Sequence, residues 1–536
     1  MATSPETRLK RFLHYGSELQ LYQPGDRLAQ NHFVRDNLTA VSDLLADETK
    51  TPDAIVAHIV KAYSDGYSAH PAGLVFALAV CARQKESTPL RVAAYNAVRT
   101  VCKSLDSLFL FVKFMSELAA PNSGWGRGLR RVVCDWYASL DAAELARLVS
   151  SYCTRYGWRH RDLVKSCHFK TDDTAKAAVI RYAMFGLKDA REKFGDRPEA
   201  QQVLAYLQAV EDLKHSQDEQ QAARLVEIHG LTRQHVPAHF HKSREVWSAL
   251  VPGLPLPELL QSVRQLGRMR LLKGRELLVG QVLDSLQDQA ALADSRLHPA
   301  QVLVALRNYQ ASGKAVPYLV TAGAQIPVVR VPPPPPPNLK IIECLHMLLH
   351  SSFKMLVATG MRYLVALDVR PAMWAGRCAH CVSVSPAQAA LLQALCLVKA
   401  ERDVTVLTFL GDQRLQLLQL DPNYNFAQAE QNLKQMPGGD VDLTVPITWA
   451  LNNKKAVDVF VILTDTHVKL PDSIKPSVAL GKYRTQMNLP NTKYVTCAFA
   501  SSKVMVACPS DPRMLDIVGF DCHVPSVIEG FSRGAF

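Results

Sequence analysis

Across residues 1–325 apolar positions recur at three- and four-residue steps, as in Val92, Tyr95, Val98 and Cys102, the spacing of one buried helix face. The same spacing predicts helices over Ala72–Cys81, Leu90–Cys102, Leu108–Leu118, Arg127–Tyr137 and Ala142–Tyr156. It continues over Thr174–Phe185, Pro198–Leu213, Gln220–Glu227, Arg244–Leu250, Leu256–Leu266, Glu276–Leu286 and Pro299–Tyr309. Polar or Gly/Pro breaks such as Lys85–Pro89, Ser104–Asp106 and Pro121–Gly126 separate them. Alternating strand patterns are almost absent. Helix after helix with short breaks predicts an α-solenoid of HEAT type, with a large irregular bundle as the other arrangement. A solenoid would present one continuous concave surface.

The texture changes over residues 325–340, which hold six consecutive prolines, Pro332–Pro337. Such a run adopts extended polyproline II and joins neither a helix nor a central strand. It reads as a spacer, and it also has the composition of a ligand for an SH3, WW or EVH1 partner. After a short helix at Ile341–Phe353, apolar strands alternate with helices. The strands are Tyr363–Val369, Val404–Phe409, Val457–Leu463 and Lys493–Ala498; the helices are Pro386–Lys399, Phe426–Gln435, Thr444–Leu451 and Ser473–Gln486. Uniformly apolar strands between helices predict a parallel sheet covered on both faces, which binds ligands at the carboxyl ends of its strands. Asp368 and Asp465 fall at two such ends. The expected division is a helical repeat domain at 1–325, a proline-rich linker with a short helix at 326–358, and an α/β domain at 359–536. One core could not serve the whole chain, since cores stop growing near roughly 250–300 residues.

Charge changes the picture in the helical part. The formal net charge is +12; residues 359–536 hold 17 Lys+Arg against 15 Asp+Glu, so the remaining 44 against 34 fall in residues 1–358. A basic helical array implies a polyanionic partner. The excess concentrates at 124–170, which has 9 Lys+Arg against 4 acids, interleaved with Trp125, Trp136, Tyr156 and Trp158. Cations for phosphates and flat groups for unstacked bases are what RNA binding requires. A second basic stretch holds His235, His239 and Lys242. Two histidines four apart can share a helix face as zinc ligands do, but Pro237 lies between them and no HExxH acid is present. They read instead as a positively polarised RNA-facing surface.

Other chemistries lose ground on spacing. Cys378-Ala379-His380-Cys381 lacks the second pair that a zinc ribbon needs. There is no nucleophile elbow or Walker A loop, and GWGRG at 124–128 follows no strand, so it fails as a dinucleotide loop. The expectation is therefore no enzyme. Met1–Lys10 is polar with no apolar signal core, and no stretch of about 18 apolar residues occurs, so neither a signal peptide nor a membrane span is expected. The expected compartment is reducing, the cytoplasm and also the nucleus, with free thiols.

Longer stretches carry a resemblance. RFLHYGSE at 11–18, FALAVCA at 76–82, GWGRGLRR at 124–131, DWY at 135–137 and RYGWRHRDLVKSCHFK at 155–170 occur in this order. SREVWSAL at 243–250, LHPAQVLVAL at 297–306, RYLVALDV at 362–369, DVFVILTD at 458–465 and MLDIVGFD at 514–521 follow. In their order and spread the chain resembles the TROVE-domain family. The resemblance implies a ring of HEAT-like helical repeats closed near a von Willebrand factor A domain. It implies Y RNA on the outer basic face and 3′ ends of misfolded small RNAs in the ring hole, in the service of RNA quality control. By position, Arg155 and His168 match the Y RNA-binding surface, whereas Ser151 and Cys153 stand where the family is basic. The full expected RNA-binding set is Arg127, Arg130, Arg131, Arg155, Arg159, Arg161, Lys165, His168, Lys170, His235, His239 and Lys242.

The family's metal motif is altered. Its Asp-x-Ser-x-Ser reads Asp368-Val369-Arg370-Pro371-Ala372 here, without either hydroxyl. Its Gly-Gly-Thr-Asp is replaced by Gly438-Gly439-Asp440-Val441-Asp442. Asp368 and Asp465 remain, and Arg370 can bring a guanidinium to the vacated place. The expectation is that Mg²⁺ is not held in the family's manner; the other possibility is a re-formed site of Asp368, Asp465 and either Asp440 or Asp442. The leading functional expectation is a ribonucleoprotein scaffold holding small non-coding RNA. The alternative is a protein–protein adaptor with reduced RNA binding, acting through the von Willebrand factor A-like domain or Pro332–Pro337.

Overall fold

In the computed structural model, residues 3–25, 33–47, 51–120, 124–151, 154–274, 276–311, 336–412, 414–465, 475–501 and 506–536 are described. They divide into two compact units. One is drawn from 4–19, 33–253 and 536, the other from 3, 20–25 and 254–535. The run Pro332–Pro337 lies largely outside the described residues, as does Cys153.

The first unit is helical. Its breaks are made by capping chemistry: the hydroxyls of Ser87, Ser104 and Ser243 and the carboxylate of Asp173 accept the backbone N–H groups of Leu90, Ser107, Val246 and Lys176. Proline opens the helices Pro5–Tyr15, Pro52–Asp65 and Pro71–Ala82, where its missing N–H costs nothing. Pro71–Ala82 is apolar all round and buried from Gly73 to Ala82. A helix of that kind belongs in a core. Phe76 there stands 5.5 Å from Phe33, 5.1 Å from Phe114 and 6.0 Å from Phe12. Thr88–Val101 packs on Pro52–Asp65, Pro71–Ala82 and Arg127–Ser139, so each helix is held by its near neighbours in sequence.

The second unit is built on a seven-stranded sheet in the order β1-β7-β6-β5-β2-β3-β4. Its strands are β1 (Leu21–Tyr22), β2 (Tyr363–Leu367), β3 (Val404–Gly411), β4 (Arg414–Leu417), β5 (Val459–Thr464), β6 (Lys493–Ala498) and β7 (Met514–Val518). All neighbours are parallel except β3 and β4. β2, β5 and β7 are buried at every position, as a sheet covered on both faces requires. The helices Leu256–Arg268 to Leu339–Ser352 fold with this unit, through contacts such as Arg307–Glu430 at 3.3 Å and His298–Glu529 at 3.5 Å. β2 lies between β5 and β3, and strand order reverses between β2 and β5, the place where open α/β sheets carry their ligand sites at the strands' carboxyl ends. Among the described residues no helix is long and apolar enough to cross a membrane.

Three strands and several helices exceed the sequence expectation. β7 has Asp516 in its middle, β4 is polar and exposed, and β1 has two residues. The expected helix Ala142–Tyr156 is described over Ala142–Ser151, and at its expected end Tyr156 and Gly157 instead turn the chain at positive φ.

Candidate nucleic-acid interface and strand-end site

A tight turn organises the basic zone. Arg155 and Trp158 exchange both backbone hydrogen bonds, at 2.9 and 2.8 Å, around Tyr156 (φ 49°) and Gly157 (φ 81°). Positive φ at both central residues marks a type I′ turn, and glycine enters that region without strain. Trp158 then lies against Trp125, with ring centroids 5.6 Å apart, and fastens the turn to the residues leading into Arg127–Ser139. That helix packs on His160–Cys167. Tyr137 Oη meets His160 Nδ1 at 2.7 Å, and the Cys134 thiol donates to the Cys167 carbonyl at 3.3 Å.

The packing leaves the cations outside. Arg127, Arg130 and Arg131 occupy one exposed helix face; Arg155, Arg159, Arg161, Lys165, His168 and Lys170 are exposed as well. Arg161 and Lys165 stand one turn apart, and His168 ends their helix in the left-handed conformation at φ 58°. Arg155 Nε lies 3.2 Å from Asp106 Oδ1, and Tyr156 Oη donates to Asp106 Oδ2 at 2.9 Å. Burial and then Asp106 push the Tyr156 hydroxyl up to about 12, so it stays a donor at neutral pH. An exposed ion pair is worth about 0–1 kcal/mol, which lets Arg155 exchange Asp106 for a stronger anion. Trp136 is a core residue whose Nε1 donates to the Cys102 carbonyl at 2.9 Å.

The second basic stretch is not one surface. His235 is 3% exposed, against the expectation of a surface role. Its Nε2 faces Ser150 Oγ at 3.1 Å and Ser151 Oγ at 3.3 Å, and its Nδ1 faces Thr232 Oγ1 at 2.9 Å. Burial lowers its pKa to about 4, so the ring is neutral at pH 7 and serves packing, not phosphate. His239 and Lys242 are exposed on the short turn Ala238–Lys242, with His239 against Phe240 at 4.2 Å and near the Ser216 carbonyl.

Sequence reasoning missed a set of hollows beside the arginine zone. One of about 730 Å³ is bounded by Phe33, Phe114, Tyr156, Arg35 and Lys113. A second, about 640 Å³, shares Arg35 and Leu118 with it and adds Arg83, Arg91 and Tyr95. A third, about 340 Å³, shares Tyr95 and Gly128 with the second and adds Arg99 and Arg131. The hollows run on from one another through these shared residues. The spacing of Arg91, Tyr95 and Arg99, four apart on one helix face, is the signal that could have shown them.

At the strand ends the acidic residues do meet, around a guanidinium. Arg370 Nη2 lies 2.5 Å from Asp368 Oδ2 and 3.0 Å from Asp465 Oδ1. Hydrogen bonding to Asp368 raises the Arg370 pKa further. Asp368 and Asp465 are buried, and Thr464 Oγ1 donates to Asp368 Oδ2 at 2.9 Å. Asp442 is turned to its own loop, accepting from Thr444 N at 2.8 Å and Thr444 Oγ1 at 2.7 Å. A divalent cation would need the space that Arg370 fills, and among the described residues no group of three His, Cys, Asp or Glu is arranged to hold a metal. The residues do not fit Mg²⁺.

Known proteins match on the same two parts. The Ro60 vWA domain model matches residues 362–532, and the TROVE domain model matches residues 36–325. The RNA-binding protein RO60 of Deinococcus radiodurans is 29% identical over 99% of this chain and 93% of its own length. The RNA-binding protein RO60 of Caenorhabditis elegans is 26% identical over 99% of this chain and 88% of its own. The crystal structure of the Deinococcus radiodurans RO (RSR) protein superimposes with a TM-score of 0.82 at 26% identity, covering 99% of this chain and all of that one. A helical unit followed by a mostly parallel α/β sheet, matched along nearly its whole length, places this chain in the TROVE-domain family.

Proposed function

We propose that this protein binds small non-coding RNA on the exposed basic surface formed by Arg127–Arg131 and Arg155–Lys170, and acts as a scaffold, not a catalyst. The observation that carries the reading is the exposure of every Arg and Lys expected there, on two packed helices and the turn beside them. Phosphate neutralisation needs such a face, and arginine adds stacking on bases. Two relatives named RNA-binding protein RO60 support it. The finer reading is a structured Y-like RNA on this face, with the unpaired 3′ end of a misfolded RNA entering the adjoining hollows. There Arg35, Arg91 and Arg99 suit phosphates, and Tyr95 and Tyr156 suit bases. With Ser151 neutral and Arg155 shared with Asp106, the Y RNA contact is thinner than the family pattern.

Filter binding of the purified protein to a structured small RNA and to a 3′-tailed RNA, across a salt series, tests this. Tight, salt-sensitive binding that Arg155→Ala with His168→Ala weakens is the expected result. Binding at the non-specific level for both RNAs would overturn it and leave the adaptor reading, in which protein partners engage the α/β domain or Pro332–Pro337.

A further inference from the structure

Three loops converge at the carboxyl ends of β2 and β5. The first carries Asp368 and Arg370, the second Thr464 and Asp465, and the third Gly438, Gly439 and Asp440. Arg370 ties the first two. Its Nε donates to both Asp368 oxygens at 3.0 and 3.1 Å, its Nη2 to Asp368 and Asp465, and its backbone N–H to Asp368 Oδ1 at 3.0 Å. The third loop closes on the same residue. A Cβ at Gly438 would lie 3.0 Å from Arg370 Cα, and one at Gly439 only 2.0 Å from Gly411 N. Only glycine permits that approach. Asp440 is near enough to act on the guanidinium electrostatically.

Asp368 has no exposed side-chain surface and Asp465 9%, while Arg370 retains 31%. Two carboxylates brought so close in the interior repel unless a cation lies between them. Here one does, attached to the chain. We infer that Arg370 is a tethered cation standing where a divalent ion would otherwise sit, so that these three loops assemble without metal and admit none while it is in place. Competition favours the tether. A guanidinium is always charged, weakly hydrated and shaped to fork onto carboxylates. Mg²⁺ has to shed water and find near-octahedral oxygens, and both hydroxyl positions are gone. The tether also works at any metal concentration, whereas bound metal stabilises only by mass action. A latent, incomplete site follows: without the guanidinium, the carboxylates of Asp368 and Asp465, with the Thr464 hydroxyl on the first, lose the cation that joins them, and water would complete the shell of an ion that took its place.

The experiment is calorimetric titration of the intact chain with Mn²⁺ and with Mg²⁺, beside thermal unfolding in chelator and in excess of either ion. For the wild type the expected result is no stoichiometric heat and one unfolding midpoint in all conditions. Arg370→Ser is expected to lose stability in chelator and to regain several degrees on adding Mn²⁺, with saturable binding that Asp368→Asn in the same background abolishes. Stoichiometric binding by the wild type that is lost in Asp368→Ala overturns the inference. So does a folded Arg370→Ser that ignores Mn²⁺, since Arg370 would then be an ordinary ion-pair partner. Should Arg370→Ser not fold, Arg370→Gln in the same titration reads the same two outcomes.

Discussion

His235 stands in a run of basic residues, yet its ring is enclosed by Ser150, Thr232 and Tyr206, and burial holds its pKa near 4. His14 and His160 are buried in the same unit and lowered to the same value for the same reason. A histidine whose folded pKa is depressed binds fewer protons than its unfolded form, so it gives stability above pH 6.5 that is lost as pH falls toward 4. Each such shift is worth on the order of 3 kcal/mol. Near-UV circular dichroism should show the helical unit loosening between pH 6.5 and 4; native signal retained down to pH 4 would contradict the burial. His235→Ala should lower the unfolding midpoint at pH 7 and leave RNA affinity unchanged, and a large loss of affinity in folded protein would restore a contact role. Asp516 has the opposite sign. Burial raises its carboxyl to about 6, against the N–H groups of Val506 and Ala507 that it accepts at 2.8 and 2.9 Å. Its contribution is full below pH 3.8 and lost as pH rises through 6. Asp516→Asn should therefore match or exceed the wild-type midpoint at pH 8 and lose that advantage at pH 5. A midpoint several degrees below wild type at pH 8 would show that the charge is needed. None of these burials was legible in residue spacing, because a histidine on a basic run and one inside a core carry the same letter.

Element boundaries were legible where apolar periodicity and capping agree, and failed where a single residue overrides the pattern. Pro386–Ala400 was readable because Ser385 and Gln388 form a capping box ahead of an apolar run. β7 was not, because Asp516 breaks its apolar run although Met514, Leu515, Ile517 and Val518 are all buried. The turn at 155–158 was read as the end of a helix, since Tyr156 gives no sign that it will take φ 49°; Gly157 was the only cue. That turn sets Arg155 against Asp106 and Trp158 against Trp125, so its backbone is a control on the surface it carries. Gly157→Val puts a β-branched side chain at φ 81° and should cost about 1–2 kcal/mol locally without changing charge. RNA affinity should fall and tryptophan fluorescence should shift as the Trp125–Trp158 contact opens. Gly157→Asn, which tolerates the left-handed region, should keep most of both. Equal behaviour of the two variants would mean that the turn does not position the surface.

At the scale of the whole chain, the change from helical to strand–helix texture was plain in the pattern, but the compact units do not follow it. Helices up to Leu339–Ser352 fold with the sheet, and β1, from the start of the chain, pairs with β7 near its end. Such pairing leaves no mark on local periodicity. Charge partition was legible, and it yields the sharpest test of where RNA sits. The net +10 of residues 1–358 compares with +2 for the rest, as the counts of 44 against 34 and 17 against 15 require. The logarithm of affinity falls with that of salt by about 0.9 per phosphate neutralised on a duplex and about 0.7 on a single strand. Replacing Arg155, Arg159, Arg161 and Lys165 together by alanine should flatten that slope by about 3 units if each meets one phosphate. The exposed Lys454 and Lys482 of the other unit serve as the control, and their double alanine variant should keep the wild-type slope. Equal flattening in both variants would mean that RNA responds to net charge alone. No flattening in the fourfold variant, with affinity intact, would move the interface to the arginines lining the neighbouring hollows, where Arg91→Ala with Arg99→Ala is the next measurement.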